Sequence, residues 1–359
     1  PTLPPNVAII YARPWEKVDD TIAYNEQLLV DALAQQIVNR RLVAQARAGS
    51  TFSLAEVGQE DISRSADTTT VIITPIGDNW QQAVADVRAI IEDAVSTPPS
   101  QADIDREVTL FGNALRTMRD SYPFEAAAKQ ADDIVKAVDI RETIAAPDTV
   151  VGVFENMRGK FTPERLFAAT KALFSADAVR ILRTSPVDDG ADADVRLAKA
   201  LTDPVSAASS VRLAGNAITF DDLPKLGAPS QIVARNRLQR LEMESVELSN
   251  GVRALLFPNK AESGQVRVLV RFGRGYQALD PSKAGLMWSG PGVISESGVG
   301  KFSRTQIDQL VNGRRIELGF NVDNDAFEYA ATTRPEDLAD QLRLIAVKME
   351  HPNWDSAPL

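Results

Sequence analysis

The sequence VELSNGVRALLF, residues 246–257, decides the fold expected for the C-terminal part of the chain. Its two apolar runs, 246–248 and 252–257, are separated by the polar residues 249–251, which include the step Asn250-Gly251. An Asn-Gly step between apolar runs is a strong signal of a β-hairpin, because both residues tolerate the positive φ angles that tight hairpin turns require. The pattern therefore predicts two antiparallel strands that open a domain near residue 242.

The segments after this hairpin predict a mixture of strands and helices. Valine and arginine alternate in residues 266–272, which is typical of a strand. Further elements are predicted from apolar periodicity as a Gly-rich helical region at 284–300, a helix at 303–312, strands at 316–321 and 327–332, and a helix at 336–350. Residues 242–359 are therefore expected to form the front part of an α+β domain.

The N-terminal half predicts a second domain of the same class. Strands are expected at 7–11, 52–57, 68–74 and 178–184, and helices at 19–48, 79–95, 100–122, 124–138, 148–157 and 164–174. This order predicts an α+β fold, in which helices cover one face of a mostly antiparallel sheet. Residues 1–185 are assigned to this domain, and residues 186–241, dense in Asp, Gly, Ala, Ser and Pro, to a connector.

Composition excludes several classes of protein. A chain of 359 residues with 44% hydrophobic and 25% charged residues is long and apolar enough for two globular domains with sizeable cores. A formal net charge of -10 argues against a general nucleic-acid binder, which needs surplus Lys and Arg to neutralise phosphates. The absence of cysteine excludes disulfides, a thiolate nucleophile and Cys-ligated metal.

The ends of the chain and its apolar runs indicate whether it is a fragment and whether it spans a membrane. The first residues, Pro-Thr-Leu-Pro-Pro, have no initiator Met, basic region or apolar leader, and the C-terminus stops just after a helical pattern. We therefore expect a fragment of a longer protein, incomplete at the N-terminus of its first domain. The apolar runs are too short to predict a membrane span. The lack of cysteine fits the periplasm and the cytoplasm equally, and a periplasmic location is expected, with the cytoplasm as the alternative.

Several segments together resemble the insulinase/pitrilysin family of zinc metallopeptidases. Residues 251–253 are similar to the N-G-[LV]-[RK] hairpin of the family, residues 272–275 to its turn before the metal helix, and Gly285-Leu286 to the G-L that precedes its zinc box. Residues 327–332 resemble a strand of the family, and NRRLVAQARAGSTF, residues 39–52, resembles a stretch of its second half-repeat. The order of elements carries this resemblance, which covers nearly all of the chain.

The resemblance implies an architecture and a place for this chain within it. In such enzymes four homologous α+β units, in one chain or two, form two halves that enclose a large chamber. The chain then resembles the second unit (1–185), the connector between halves (186–241) and the front of the third unit (242–359), each unit having a mostly antiparallel sheet with helices packed on one face.

The zinc box of the family, H-x-x-E-H, is degenerate in this chain. Its two His positions fall on Trp288 and Gly292, and its Glu position on Pro291. An inverted zinc site needs two imidazoles and a carboxylate that acts as base, and Trp, Pro and Gly supply none of these groups. The only histidine is His351, at the end of a predicted helix, where a structural role is expected. The alternative is that 285–300 is a Gly-rich loop with no ancestry in a metal site.

The sequence contains other residues that could form a functional site. Active members of the family use an Arg and a Tyr of the fourth unit to contact substrate, and the nearest counterparts here are Arg47 and Phe52, the second of which lacks the hydroxyl. The alternative for this pair is a helix-end Arg followed by a buried Phe. The glycines of 290–300 lack a phosphate-binding pattern, adjacent acidic pairs lack EF-hand spacing, and no G-x-S-x-G occurs.

The resemblance leads to one function and two alternatives. The leading hypothesis is a non-catalytic portion of a peptide-degrading zinc metallopeptidase, in which these residues form chamber wall and connector. Zinc would then be bound by an upstream unit and not by this chain, and the partners would be the remaining units or a partner subunit, together with peptide substrate. The alternatives are a non-enzymatic scaffold or inactive partner subunit of the same fold, as in the core subunits of the respiratory bc1 complex, and an unrelated α+β binding domain.

Overall fold

The structure, a computed structural model, describes residues 5–140, 143–209, 218–258, 264–283 and 285–354. The chain divides into two compact units, Pro1–Gly215 and Asn216–Leu359. Both combine helices with antiparallel strands, so the predicted α+β class is confirmed. Among the helices of the described ranges, none has both the length and the apolar character needed to cross a membrane.

The first unit is built on a four-stranded antiparallel sheet. Its strands are β1 (Asn6–Pro14), β2 (Phe52–Ile62), β3 (Ala66–Pro75) and β4 (Ala178–Thr184), in the spatial order β2-β3-β1-β4. Apolar residues alternate along these strands, so that Val7, Ile9 and Val71 point to one face and are fully buried. The bounds predicted for β4 agree with the structure.

Seven helices accompany this sheet within the described residues. They are α1 (Ile22–Arg47), α2 (Trp80–Ser96), α3 (Gln101–Ser121), α4 (Ala127–Ile140), α5 (Pro147–Met157), α6 (Pro163–Leu173) and α7 (Ala193–Thr202). Polar residues begin several of them, as predicted: the Ser100 side chain accepts a hydrogen bond from Asp103 N at 3.1 Å, and Thr162 accepts from Arg165 N at 3.4 Å. These caps satisfy backbone donors that the first helical turn leaves without partners.

The core of the first unit lies between the sheet and α1 and α2, and a second cluster joins α1 to α3, α5 and α6. Two ion pairs fix α1 among its neighbours. Arg41 Nη1 lies 3.1 Å from Asp93 Oδ2 on α2, with both side chains about 95% buried, and Arg40 Nε lies 2.9 Å from Glu107 Oε1 on α3. Because a buried charge without its partner is strongly destabilising, these pairs hold the helices in one arrangement.

The second unit contains two three-stranded antiparallel sheets. One has the order β5-β6-β7 and is formed by β5 (Ile232–Leu238), β6 (Met243–Leu248) and β7 (Arg253–Leu256). The other has the order β8-β10-β9 and is formed by β8 (Val266–Phe272), β9 (Gly319–Val322) and β10 (Phe327–Thr333). The helices are α8 (Gly285–Glu296), α9 (Arg304–Leu310) and α10 (Leu338–Glu350).

The hairpin predicted from the Asn-Gly step is confirmed as β6 and β7. Gly251 adopts a φ of +85°, in the left-handed region, and Leu248 N donates to Val252 O at 2.9 Å. Asn250 Oδ1 accepts a further hydrogen bond from Val252 N at 3.2 Å. Gly251 therefore supplies the positive φ of this turn, and Asn250 contributes through its side chain and not through a positive φ.

The two ends of the predicted connector, 186–241, lie in different units. Helix α7 packs in the first unit, where Arg88 Nη1 donates to Ala200 O at 2.9 Å and to Asp203 O at 2.7 Å. Strand β5, which the sequence did not predict, pairs with β6 in the second unit. The limits 185 and 241 stay a prediction, and the connector contains regular structure at both ends.

Candidate functional site

The candidate site is helix α8, which carries the three positions that the sequence resemblance assigns to a degenerate zinc box. The chain leaves the second sheet at the end of β8, turns through 273–275, and passes two short 3-10 helices, Gly275–Ala278 and Pro281–Lys283, before α8 begins at Gly285. The predicted helical character of this region is thus confirmed for Gly285–Glu296. The segment is not a loop, but its descent from a metal site stays a prediction.

A glycine fixes the path from the sheet to this helix. Gly275 has a φ of +52°, and a Cβ atom added there would lie 2.1 Å from the main-chain oxygen of Asp323 and 2.5 Å from the nitrogen of Ala326. The approach is closed by hydrogen bonds from Tyr276 N to Asp323 O at 3.0 Å and from Gln277 N to Asn324 O at 3.2 Å. Since no other residue fits this space, the Gly-Arg-Gly turn locks the start of the segment to the β9–β10 connection.

The box positions are spaced on α8 as a metal site would require. Residues three and four apart on a helix share a face, so Trp288, Pro291 and Gly292 occupy neighbouring places on one side of α8. None can ligate a metal: the indole N–H only donates, and proline and glycine carry no donor atom in the side chain. Gly292 is exposed, and the side chain of Trp288 lies outside the described residues. Pro291 also deprives the helix of one backbone N–H donor.

The C-terminal end of α8 is tied to the rest of the unit. Ser295 Oγ accepts a hydrogen bond from Phe320 N of β9 at 3.3 Å, and Arg304 of α9 donates to Ser295 O. Lys348 of α10 donates to two carbonyls just beyond the helix, Ser297 O at 2.6 Å and Gly298 O at 2.8 Å. A cation at this place stabilises the carbonyl end of a helix, so α8 is anchored at the end remote from Trp288.

Potential metal ligands away from α8 are dispersed in the described part of the chain. Within the part of the chain that the structure describes, no group of three or more His, Asp or Glu side chains is placed to hold a metal ion. His351, the only histidine of the sequence, follows α10, where its N–H donates to Val347 O at 2.8 Å and its carbonyl accepts from Gly300 N at 2.8 Å. Its main chain therefore closes α10, in agreement with the structural role expected for it.

Arg47 and Phe52 lie on either side of the turn that joins α1 to β2. Phe52 is fully buried in the core between the sheet and α2, so its ring contributes packing. Arg47 is half-buried in the last turn of α1, where a cation is favourable to the helix dipole. A contact between Arg47 and a peptide stays a prediction.

Comparison with known proteins identifies the fold. No protein-family model matches the chain, and no curated protein matches its sequence. Over 99% of its length the chain is similar in structure to the ferredoxin protease FusC, solved in complex with Arabidopsis ferredoxin, with a TM-score of 0.55 and 14% identity. Over 96% it is similar to pitrilysin, with a TM-score of 0.51 and 13% identity. The periplasmic protease PqqL from Escherichia coli matches over 97% of the chain at 14% identity, with a TM-score of 0.49.

These likenesses establish the fold of the chain. It has the α+β architecture of insulinase/pitrilysin-type proteases, as the sequence predicted. The chain spans 40% of the length of FusC, 36% of pitrilysin and 39% of PqqL. The fold of these residues therefore does not by itself establish the activity of a whole protein of that length.

Proposed function

We propose that this chain is a non-catalytic portion of a zinc-dependent metallopeptidase that degrades peptides, and that it forms chamber wall and connector. The observation that carries the proposal is the set of side chains at three positions of α8. In a chain with a pitrilysin-like fold, this helix carries the three residues that the sequence resemblance assigns to an inverted zinc box, and Trp288, Pro291 and Gly292 supply no metal ligand and no base. In the parent enzyme zinc would be held by an upstream unit.

The open face of the first sheet supports a wall function. Helices cover the face that carries Ile9 and Val71, whereas the other face leaves Ile72 44% and Leu182 56% exposed. Both residues pair with Ala8, so they stand in one row across three strands. An apolar surface of this kind suits contact with extended peptide more than contact with water.

Helix α4 presents a second apolar surface. Ile134, Val135 and Val138 recur at helical spacing and are 44%, 66% and 65% exposed. Residues at this spacing form one stripe, and such a stripe is normally buried against another element. In the proposed assembly it would contact the remaining units or a partner subunit.

The proposal also includes a class of substrate and a cellular compartment for the parent protein. FusC is described as a ferredoxin protease, and a peptide or protein substrate is accordingly proposed for the parent of this chain. A periplasmic location is part of the proposal.

The parent gene offers the first test. An H-x-x-E-H box upstream of Pro1, with a Glu some distance beyond it, supports the peptidase. Its absence would overturn the peptidase and favour the scaffold or inactive partner subunit of the same fold.

Reconstitution offers the second test. The upstream polypeptide and this chain are prepared separately, mixed, and assayed for cleavage of an unstructured peptide. Zinc-dependent cleavage that requires both parts is the expected result. Full activity of the upstream part without this chain, or zinc-dependent cleavage by this chain without it, would contradict the proposed role.

A further inference from the structure

The first half of helix α1 separates two cavities in the first unit. One, of about 430 Å³, lies between α1, α3 and α5. The other, of about 540 Å³, lies between α1 and the ends of β1, β2 and β3. Asp20 and Leu28 line both cavities, so the two meet at these residues. The proposed function, which relies on α8, α4 and the open face of the sheet, uses neither cavity.

The helical period of α1 places the cavities side by side. Tyr24, Leu28 and Asp31 recur at helical spacing and face the larger cavity. Leu29 and Ala32 each lie one position further along the helix and face the smaller one. Leu28, which is 39% exposed, therefore forms the ridge between the two cavities.

The smaller cavity is largely apolar. Its apolar lining includes residues from all three helices: Leu29, Ala32, Phe111, Val150 and Val153. Ile22 belongs to the same lining and is 71% exposed. An apolar side chain that entered this cavity would leave water and would cover apolar surface of the helices, which is favourable on both sides.

The larger cavity carries an excess of negative charge. Six acidic side chains belong to its lining: Glu16, Asp20, Asp31, Glu60, Asp61 and Asp67. Two basic residues, Arg13 and Arg64, accompany them, so the lining has four more negative than positive charges. This cavity is therefore complementary to a cation.

Three of these charges stand in one row across the sheet. Asp67 of β3 pairs with Asp61 of β2 and with Arg13 of β1, and the Cβ atoms of directly opposite residues lie about 4.5–5.5 Å apart on one face. Arg13 offsets part of the repulsion, but its guanidinium also donates to Ser175 O at 2.9 Å and to Thr69 Oγ1 at 3.0 Å. Since like charges directly opposite are unfavourable, a further cation at this place would be stabilising.

The acidic groups respond to this environment. Burial and the neighbouring Asp61 raise the pKa of Asp67, against the effect of Arg13. Burial also raises the pKa of Asp31. Trp15 lies in the same lining and donates its Nε1–H to Asp61 Oδ2 at 3.1 Å. Because ammonium and guanidinium groups bind both carboxylates and aromatic rings, the cavity suits the side chain of Lys or Arg.

We propose that the two cavities form a docking groove for a segment of a partner polypeptide that carries an apolar side chain next to Lys or Arg. The apolar side chain enters the smaller cavity, the basic side chain enters the acidic one, and the backbone crosses α1 at Leu28. Residues 22–32 extend about 15 Å along the helix axis, which about four or five residues of extended chain span. Because the cavities lie on either side of Leu28, a flexible chain suits them better than a compact small molecule.

The groove does not coincide with the peptide contact proposed for the parent enzyme. Helix α1 packs on the face of the sheet that carries Val7 and Ile9, whereas that contact lies on the face of Ile72 and Leu182. A failure of the groove to bind would therefore leave the proposed function unaffected.

The test uses the whole chain and two synthetic peptides, acetyl-Phe-Leu-Gly-Lys-Arg-amide and the same peptide with Gln in place of Lys and Arg. Each is titrated at pH 7 and low salt by calorimetry, and versions with reversed sequence test the opposite chain direction. In at least one direction the basic peptide should bind about tenfold or more tightly than the neutral one. This preference should shrink as salt is added.

Two double variants with the same change of charge locate the binding. D61N/D67N removes two carboxylates of the acidic cavity, and D132N/D133N removes two exposed carboxylates of α4. The first should weaken binding of the basic peptide about tenfold, and the second by less than about twofold, because exposed and distant charges contribute little. A32W, which fills the apolar cavity, should weaken binding of both peptides.

The comparison of the peptides on the unaltered chain does not depend on how any variant folds. Equal affinity for the basic and the neutral peptide, no binding of either, equal losses in the two double variants, or full binding to A32W would each overturn the proposal. Binding of 4-phenylbutylamine as tight as that of the basic peptide would also overturn it, since it would assign the cavities to a small molecule.

Discussion

Replacing Gly275 with alanine should loosen the second unit at the point where β8 leads into the α8 segment. The new Cβ would lie 2.1 Å from Asp323 O, 2.5 Å from Ala326 N and 2.7 Å from Ala326 O, all main-chain atoms that cannot turn aside. An alanine at a φ of +52° adds about 1 kcal/mol of backbone strain. Forcing apart a packed contact adds roughly 1–3 kcal/mol, so the expected loss of stability is about 3 kcal/mol.

Gly292 provides the matched control, because it lies on α8 with no atom within 4 Å of an added Cβ. Alanine is a better helix former than glycine by about 1 kcal/mol, so G292A should be neutral or stabilising. Hydrogen exchange of the amides in Phe327–Thr333 reports local opening. A loss of about 3 kcal/mol corresponds to exchange faster by roughly a hundredfold in G275A, with no acceleration in G292A. Exchange in G275A within threefold of the unaltered chain would refute the packing inferred for this turn.

Three further predictions concern charge and surface. D93A should destabilise the first unit by about 3–5 kcal/mol in urea unfolding, because it removes the carboxylate 3.1 Å from the buried Arg41. The double variant R41M/D93L should lose less stability than D93A. A loss below 1 kcal/mol in D93A would count against a stabilising ion pair. Burial lowers the pKa of Lys348 from 10.5 to about 8, so between these pH values the unfolded chain holds this proton and the folded chain does not. The free energy of unfolding should therefore rise by about 3 kcal/mol from pH 8 to pH 10.5, relative to K348M. Identical pH profiles of the two proteins would contradict this. In the parent enzyme, L182D on the open sheet face should raise KM for peptides about three- to tenfold at unchanged kcat, because it removes an apolar contact. L256D on β7 should leave KM unchanged. An equal change of KM in the two variants would argue against a peptide contact on this face.

Local signals predicted most elements of both units. Strands β4 and β8 have the predicted bounds, because both are short runs rich in β-branched and other apolar residues, and in β8 apolar residues largely alternate with arginine. The hairpin of β6 and β7 follows from Asn250-Gly251, because Gly251 readily adopts the positive φ that the turn requires. Such elements depend on nearby residues and are therefore accessible from sequence.

Strand β5 was missed for a physical reason. Its sequence, IVARNRL, contains two arginines and an asparagine, and six of its seven residues are exposed. It has no buried face to impose an alternating pattern, and its strand form comes from pairing with β6. That pairing is a tertiary fact, which the sequence of the segment does not carry.

The candidate site was predicted in part. The helical character of the segment that carries Trp288, Pro291 and Gly292 was predicted from the sequence and is confirmed, whereas their assignment to a zinc box stays a prediction. Lys348 was not singled out, although a signal existed: it lies four residues after Leu344 and seven after Gln341, both fully buried, and so belongs to the inward face of α10. The two cavities beside α1 are assembled from distant segments, and only the structure brings them together.

The central claim is that α8 has the position of a zinc box but cannot bind the metal. Equilibrium dialysis of the 359-residue chain against zinc, followed by metal analysis and a chelator wash, tests it most directly. The chain should retain no zinc above the level of a matched protein that has no metal site. One zinc ion per chain that survives the chelator would contradict it.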